Sequence, residues 1–171
     1  MEAFSYSKIH SPVGPLIIAA SNRGLVLLEF DRGTFPPKNS KSNWTESQDA
    51  TRDYVRELKE YFAGERRDFT FPLDLRGTEF QLKCWHALLE IPYGETRTYA
   101  DIARVVGQPR GFRAVGLANN RNPIAIVVPC HRVIASDGTL CGYGGGLDIK
   151  RKLLDLEARS SGLFAKKGSA A

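Results

Sequence analysis

The feature that most limits the fold is a change of pattern at Leu75-Arg76-Gly77. Before it, apolar residues come in short unbroken runs separated by turn-forming residues. After it, they recur at helical spacing. No periodic segment crosses this point. With 171 residues, enough for one good-sized domain or two small ones, we read two domains, 1–76 and 77–171.

In the first part, residues 16–20 and 25–30 flank the tetrad Ser21-Asn22-Arg23-Gly24 and predict a β-hairpin. Residues 31–43, rich in Gly, Pro, Lys and Ser, read as a loop. Thr45 and Gln48 have the spacing of a capping box. The helix after them puts Tyr54, Val55, Leu58, Tyr61 and Phe62 on one face and stops at Gly64. The second part is helical. Thr78 and Gln81 form another capping box, for a helix that carries Phe80, Trp85, Leu88 and Leu89 and breaks at Ile91-Pro92-Tyr93-Gly94. Thr98 caps a short helix over 99–106, Gly107-Gln108-Pro109 turns the chain, and another helix runs from about residue 110 to 119. Two short helices joined by a tight Gly-containing turn have the helix-turn-helix pattern, in which the second helix enters a DNA groove. An ordinary helical hairpin has the same spacing. Residues 165–171 read as a frayed tail. The expected class is α+β: a small antiparallel sheet with a helix, then a helical domain.

Charge separates the same two parts. Up to Arg76 there are 11 basic and 11 acidic residues; beyond it there are 13 and 8, which supplies the whole net charge of +5. The second part is therefore the candidate partner of a polyanion. No apolar run approaches the roughly 18 residues of a membrane span. The first five residues lack the basic and apolar regions of a secretory signal, so a cytoplasmic location is expected. The three cysteines, Cys84, Cys130 and Cys141, show no metal-ligand spacing and are odd in number, which argues for a reducing compartment. Cys84 lies in an apolar helical stretch and reads as a small core residue.

Cys130 reads differently. Residues 124–128 form an apolar run fit for a buried strand, and Pro129 ends it abruptly. Cys130, His131 and Arg132 follow at once. Positive neighbours favour thiolate over thiol, and a soft sulfur nucleophile suits displacement at an sp³ alkyl carbon. Adjacent side chains seldom touch, so His131 is expected to act on Cys130 through a bridging water, with an acid on its other nitrogen. By residue type that acid is Glu157, Asp137, Asp148 or Asp155.

The run Pro129-Cys130-His131-Arg132-Val133 resembles the active-site signature of the O6-alkylguanine-DNA alkyltransferases. The similarity extends over roughly residues 77–159. It takes in Arg113-Ala114-Val115-Gly116, Asn122-Pro123, Gly142-Tyr143-Gly144-Gly145-Gly146-Leu147 and the closing Leu153-Leu154-Asp155-Leu156-Glu157. Residues 1–76 match only in general layout. The resemblance implies a ribonuclease H-like N-terminal domain and a winged-helix-like C-terminal one.

It also implies direct-reversal repair, in which the alkyl group of a flipped O6-alkylguanine passes irreversibly to Cys130. His131 would take the thiol proton through water, Glu157 would orient His131, and Asn122 would sit at the hinge before the active-site segment. Tyr99 would hydrogen-bond the base and protonate it. The Gly144 amide would face O6, while the Cys130 and Val133 carbonyls would read the exocyclic amine. Tyr143 and Gly145 would help line the pocket. Arg113 would fill the gap left in the DNA stack, with Phe112, Ala114, Gly116 and Thr98 also at the DNA and small residues, Ala118 among them, easing close approach.

Some relatives carry serine in place of Gly144, and some hold zinc near the N-terminus. Here residues 1–76 have no cysteine and only His10, so no metal is expected, nor any cofactor. The expected partner is duplex DNA carrying O6-alkylguanine, with O4-alkylthymine and cooperativity left open, and the expected solution state is a monomer. Two other readings are a lesion-binding alkyltransferase-like protein without activity, which would lack the cysteine, and a helix-turn-helix regulator, which would not need Cys130 and His131.

Overall fold

The computed structural model describes the backbone of residues 1–169 and the side chains of residues 1–162. The chain forms two compact units, Met1–Arg76 with the short segment Pro123–Ala125, and Gly77–Asn122 with the chain from Ile126 onward.

The first unit is built on a four-stranded sheet of β1 (Ala3–Ile9), β2 (Leu16–Ala20), β3 (Leu25–Phe30) and β4 (Asn43–Glu46), in the order β3-β2-β1-β4. All five residues of β2 are buried, which is why its sequence is a continuous apolar run rather than an alternation. The expected β2–β3 hairpin forms, with Ser21 N donating to the Gly24 carbonyl at 2.9 Å. Only glycine fits at position 24: its φ is +152°, and a Cβ would lie 2.5 Å from the Pro72 carbonyl oxygen.

Two expectations are corrected in this unit. The sheet is mixed, because β4 joins β1 in parallel, Phe4 opposite Trp44. The capping box at Thr45 and Gln48 does not form, since Thr45 is spent in β4; helix α1 (Arg52–Phe62) begins after Thr51, whose hydroxyl meets Ser7 at 2.7 Å instead of capping. Strand pairing outweighs a local capping signal here because it satisfies backbone groups all along the segment.

The second unit contains α2 (Glu79–Leu89), β5 (Arg97–Thr98), α3 (Tyr99–Val105), α4 (Phe112–Asn120), β6 (Val133–Ile134) and α5 (Leu147–Ser169). The capping boxes at Thr78–Gln81 and Thr98–Asp101 are both complete. Trp85, 1 % exposed, donates its indole N–H to the Ala118 carbonyl at 2.9 Å and so locks α4 against α2. Burying such a ring contributes roughly 3 kcal/mol. A Cβ at Gly77 would lie 2.6 Å from that ring.

Three readings change in this region. Residues 124–128 are not a strand: Ile124 forms a single bridge to Leu28, and the chain then turns, with Ile126 at φ +73°. Periodicity could not distinguish this buried turn from a buried strand. Ala118 is 3 % exposed and faces the core, so it does not line a groove. Helix α5 runs through Ser169, past the point where fraying is expected, and Glu157 lies near its middle; no proline interrupts it, and Ala and Lys favour helix. Ala170 and Ala171 lie outside the described residues.

Candidate active site

Local structure brings the site together. After the turn at Ile126, Cys130–Arg132 form one tight 3₁₀ turn, with the Cys130 amide bonded to the Val128 carbonyl at 2.8 Å. A β-branched residue at positive φ costs about 1–3 kcal/mol and persists only where its surroundings hold it. Ile126 is 1 % exposed. The turn leads into β6, which pairs in parallel with β5, Arg97 opposite Val133 and Thr98 opposite Ile134. Because β5 runs directly into α3, this pairing sets Tyr99 beside the Cys130 turn. Two residues past the end of α4, the Asn122 amide donates to the Val128 carbonyl at 2.8 Å and to Cys130 Sγ at 3.3 Å.

Beneath Cys130 lies a buried polar cluster. His131 Nε2 lies 2.8 Å from Glu157 Oε1, and both side chains are essentially inaccessible. Of the four acids open by residue type, Glu157 is therefore the partner of His131. Arg132 forks onto the same carboxylate, Nε to Oε2 and Nη2 to Oε1, both at 2.9 Å, while Nη1 donates to the Ile91 carbonyl at 2.7 Å. Burial alone would raise the Glu157 pKa, but His131 and Arg132 hold it at about 2. Burial also lowers the His131 pKa, against the pull of Glu157, so the imidazole is neutral near pH 7. An ionised carboxylate can only accept, so Nε2 carries the hydrogen and Nδ1 is left as an acceptor. Nδ1 is buried and makes no hydrogen bond within the protein.

These directions correct one expectation. The positive group that acts on Cys130 is not one of its neighbours in sequence. Burial pushes its thiol pKa up, opposed by the Asn122 hydrogen bond and the field of Lys150. Arg132, the neighbour in sequence, spends its charge on Glu157.

Lys150 is the site residue that motif reading does not find. Its side chain is fully buried on α5, with Nζ donating to the carbonyls of Val133 (2.6 Å), Cys141 (2.9 Å) and Gly142 (3.3 Å). It thus ties the glycine-rich loop to β6. The available signal is spacing: Lys150, Leu153, Glu157 and Ser160 fall on one stripe of α5, and all four are buried. A lysine on the stripe that carries the core leucine and the key acid has no reason to face solvent.

The remaining candidates divide by environment. Tyr99 donates its hydroxyl to the Cys141 carbonyl at 2.9 Å, and burial raises its pKa. The Tyr143 hydroxyl is buried, and its pKa is raised by burial and by the nearby Cys130 and Glu157. Gly145 is half-buried. A Cβ at Gly144 would meet nothing within 4 Å, so the serine found in some relatives has room. Thr98 Oγ1 is engaged as a helix cap. On α4, Phe112, Arg113 and Ala114 are exposed, while Gly116 is half-buried and a Cβ there would lie 3.9 Å from Tyr99 Cε1.

Fold and site together define a class: a helix-turn-helix protein in which a buried cysteine, Cys130, is followed by a histidine bound to a buried carboxylate. Comparison with known proteins narrows this. Residues 4–75 match the ribonuclease-like domain of 6-O-methylguanine DNA methyltransferase, and residues 79–159 match its DNA-binding domain. The chain is 52 % identical over 152 residues to the methylated-DNA–protein-cysteine methyltransferase of Methanosarcina barkeri, covering 89 % of this chain and 96 % of that one. The Mycobacterium tuberculosis counterpart is 53 % identical over 152 residues, covering 89 % and 91 %. Among solved structures, M. tuberculosis O6-methylguanine methyltransferase superposes with a TM-score of 0.84 at 50 % identity, covering 92 % of this chain and 94 % of that one. M. tuberculosis OGT in complex with DNA gives 0.82 at 49 % identity, with the same coverage. The chain belongs to the O6-methylguanine DNA methyltransferase family. No described helix is long and apolar enough to cross a membrane.

Proposed function

We propose that this protein repairs duplex DNA by transferring the alkyl group of O6-alkylguanine to Cys130 Sγ, once per molecule. The observation that carries the reading is the Cys130 thiol, held by Asn122, beside a neutral histidine whose outer nitrogen is fixed by a buried carboxylate. The lesion lies inside the duplex, so the nucleotide must first be flipped out, at a cost of a few kcal/mol. Arg113 on the exposed face of α4 fills the vacated position and offsets part of that cost.

In the reaction the thiol proton passes through water to His131 Nδ1, and Glu157, held in place by Arg132, stabilises the imidazolium. Sγ attacks the alkyl carbon. The carbon–O6 bond breaks, and its electron pair returns to the base as Tyr99 delivers a proton to N3. Solvent then returns a proton to the tyrosinate, takes the thiol proton from His131, and moves the guanine proton from N3 to N1. The products are a thioether at Cys130 and unmodified guanine. A thioether is a poor leaving group, so the cysteine is not regenerated.

To reach the base, the Tyr99 hydroxyl must release the Cys141 carbonyl. That carbonyl keeps Lys150 as a partner, so the switch leaves no buried acceptor unmet. The Val133 carbonyl already accepts from Lys150 but has a second lone pair for the exocyclic amine. The Gly144 amide serves O6, and Tyr143 with Gly145 borders the alkyl group. The presence of Cys130 disfavours a binding-only protein, and the buried His131–Glu157 pair disfavours a regulator.

Incubation with duplex containing O6-methylguanine is expected to add one methyl mass to the protein, located on Cys130 by peptide mass spectrometry. Cys130→Ala is expected to gain none while still binding the lesion. An unchanged mass for the wild type overturns the reading, as does a single molecule that clears many lesions.

A further inference from the structure

The outer face of α4 does not look like a surface built only to meet phosphates. Phe112 is 49 % exposed and Leu117 is 58 % exposed. Phe112 precedes Arg113, and Leu117 follows it by one helical turn, so the two large apolar side chains bracket the cation. Arg113 forms no ion pair among the described residues, and the last turn of α4 carries no basic residue. Val115, Ala118 and Asn119 occupy the opposite, buried face, so Phe112 and Leu117 are not core residues displaced by local fraying. Exposed apolar groups clustered on a short helix mark a contact surface.

Resting on the reading above, we propose that Phe112 and Leu117 form an apolar wedge that enters the duplex together with Arg113. Phe112 presses between base steps beside the flipped nucleotide, and Leu117 seats against the sugars and base edges. Apolar side chains inserted at base steps unstack and kink DNA. An aromatic ring stacks on any base, which suits repair that must work in every sequence. A second copy of this chain is the less suitable occupant: an isologous pairing of this small patch would bring two unpaired Arg113 side chains together, and a nine-residue helix offers far less than the roughly 800 Å² per partner of a stable dimer.

The proposal separates two contributions to DNA binding. A phosphate contact releases counterions and appears in the salt dependence of affinity; an apolar wedge does not. The full-length protein is titrated with a lesion-free duplex carrying 2-aminopurine at the flipping position, over a range of salt concentrations. Phe112→Ala is expected to weaken binding about tenfold at every salt concentration, within the range for losing one aromatic–base stack, with the salt slope unchanged and the 2-aminopurine signal reduced. Leu117→Ala is expected to follow with a smaller loss. Phe112→Trp is expected to retain affinity, which shows that bulk at this position is used rather than merely tolerated.

Affinity within twofold of wild type for Phe112→Ala overturns the wedge, as does a loss that appears only as a change in salt slope. Sedimentation showing a dimer that both alanine variants dissolve, with DNA binding intact, overturns it in favour of self-association. The readout needs no alkyl transfer. A wild type that fails to accept methyl while Phe112→Ala loses affinity defeats the transfer reading alone; a wild type that accepts methyl while Phe112→Ala binds normally defeats the wedge alone.

Discussion

The surroundings of Cys130 and the outer face of α4 are opposites. At Cys130, charged and polar groups are removed from water: Glu157, His131, Arg132 and Lys150 are all buried. On α4, apolar groups are left in water. Each arrangement costs free energy in the unbound protein, and each is explained by what the bound state needs. A desolvated His131–Glu157 pair keeps its geometry and proton-accepting nitrogen ready, with little solvent to reorganise during the reaction. An exposed Phe112 keeps its apolar surface available for a partner. Strain of this kind inside an otherwise consistent fold is a guide to where function lies.

The contrast can be tested through stability, because it assigns large effects to the buried cluster and small ones to α4. The largest is expected for Glu157→Gln. It leaves Arg132 buried without its counter-charge and His131 without its anchor, so a loss of about 3–5 kcal/mol is expected. Transfer should also slow by about 100-fold or more, the scale of a lost general base. Denaturant unfolding and single-turnover kinetics measure the two, and near-wild-type values for both would remove the cluster from the mechanism.

Lys150→Met comes next. It removes the donor shared by three carbonyls while keeping much of the side-chain volume. Unmet buried acceptors cost about 1–3 kcal/mol. Because the lysine's own desolvation is relieved, the low end of that range is expected. Hydrogen exchange should rise in the glycine-rich loop, whereas unchanged protection there would show that the loop does not depend on Lys150.

The buried cluster also predicts a pH dependence. Glu157 has its pKa lowered from 4.5 to about 2, and His131 has its pKa lowered from 6.5. Both groups therefore bind protons more readily in the unfolded chain, and both contribute stability that is lost on acidification. The histidine contribution begins to fall as pH drops through 6.5. The glutamate contribution falls between about 4.5 and 2. Unfolding free energy measured against pH should show both declines, and Glu157→Gln should flatten the lower one. A lower limb that keeps its slope in the variant would place that contribution elsewhere. Phe112→Ala, by contrast, should leave the whole curve within about 0.5 kcal/mol of wild type, as expected for a surface substitution.

Much of this was legible along the chain because the signals were local. The β2–β3 hairpin, the capping box at Thr78, the cap at Thr98, the two short helices and the adjacency of Cys130 and His131 are all set by residues within a few positions of one another. What was misread involved competition with distant partners. Thr45 signals a cap until β4 pairs with β1, and residues 124–128 read as a strand until Ile126 turns the chain.

The order of residues by itself determined which groups this protein possesses: one cysteine after a proline stop, a histidine beside it, and a short helix bearing Arg113. Only the tertiary structure decided which acid serves His131, because Glu157, Asp137, Asp148 and Asp155 are equivalent until α5 packs against the Cys130 turn. It also decided that Arg132 neutralises Glu157 rather than activating the thiol, and that Lys150 is a buried clamp. The reason is that charge and hydrogen bonding act over a few ångströms in space, and residues 130 and 157 become neighbours only when burial of the Lys150–Leu153–Glu157 stripe brings them together.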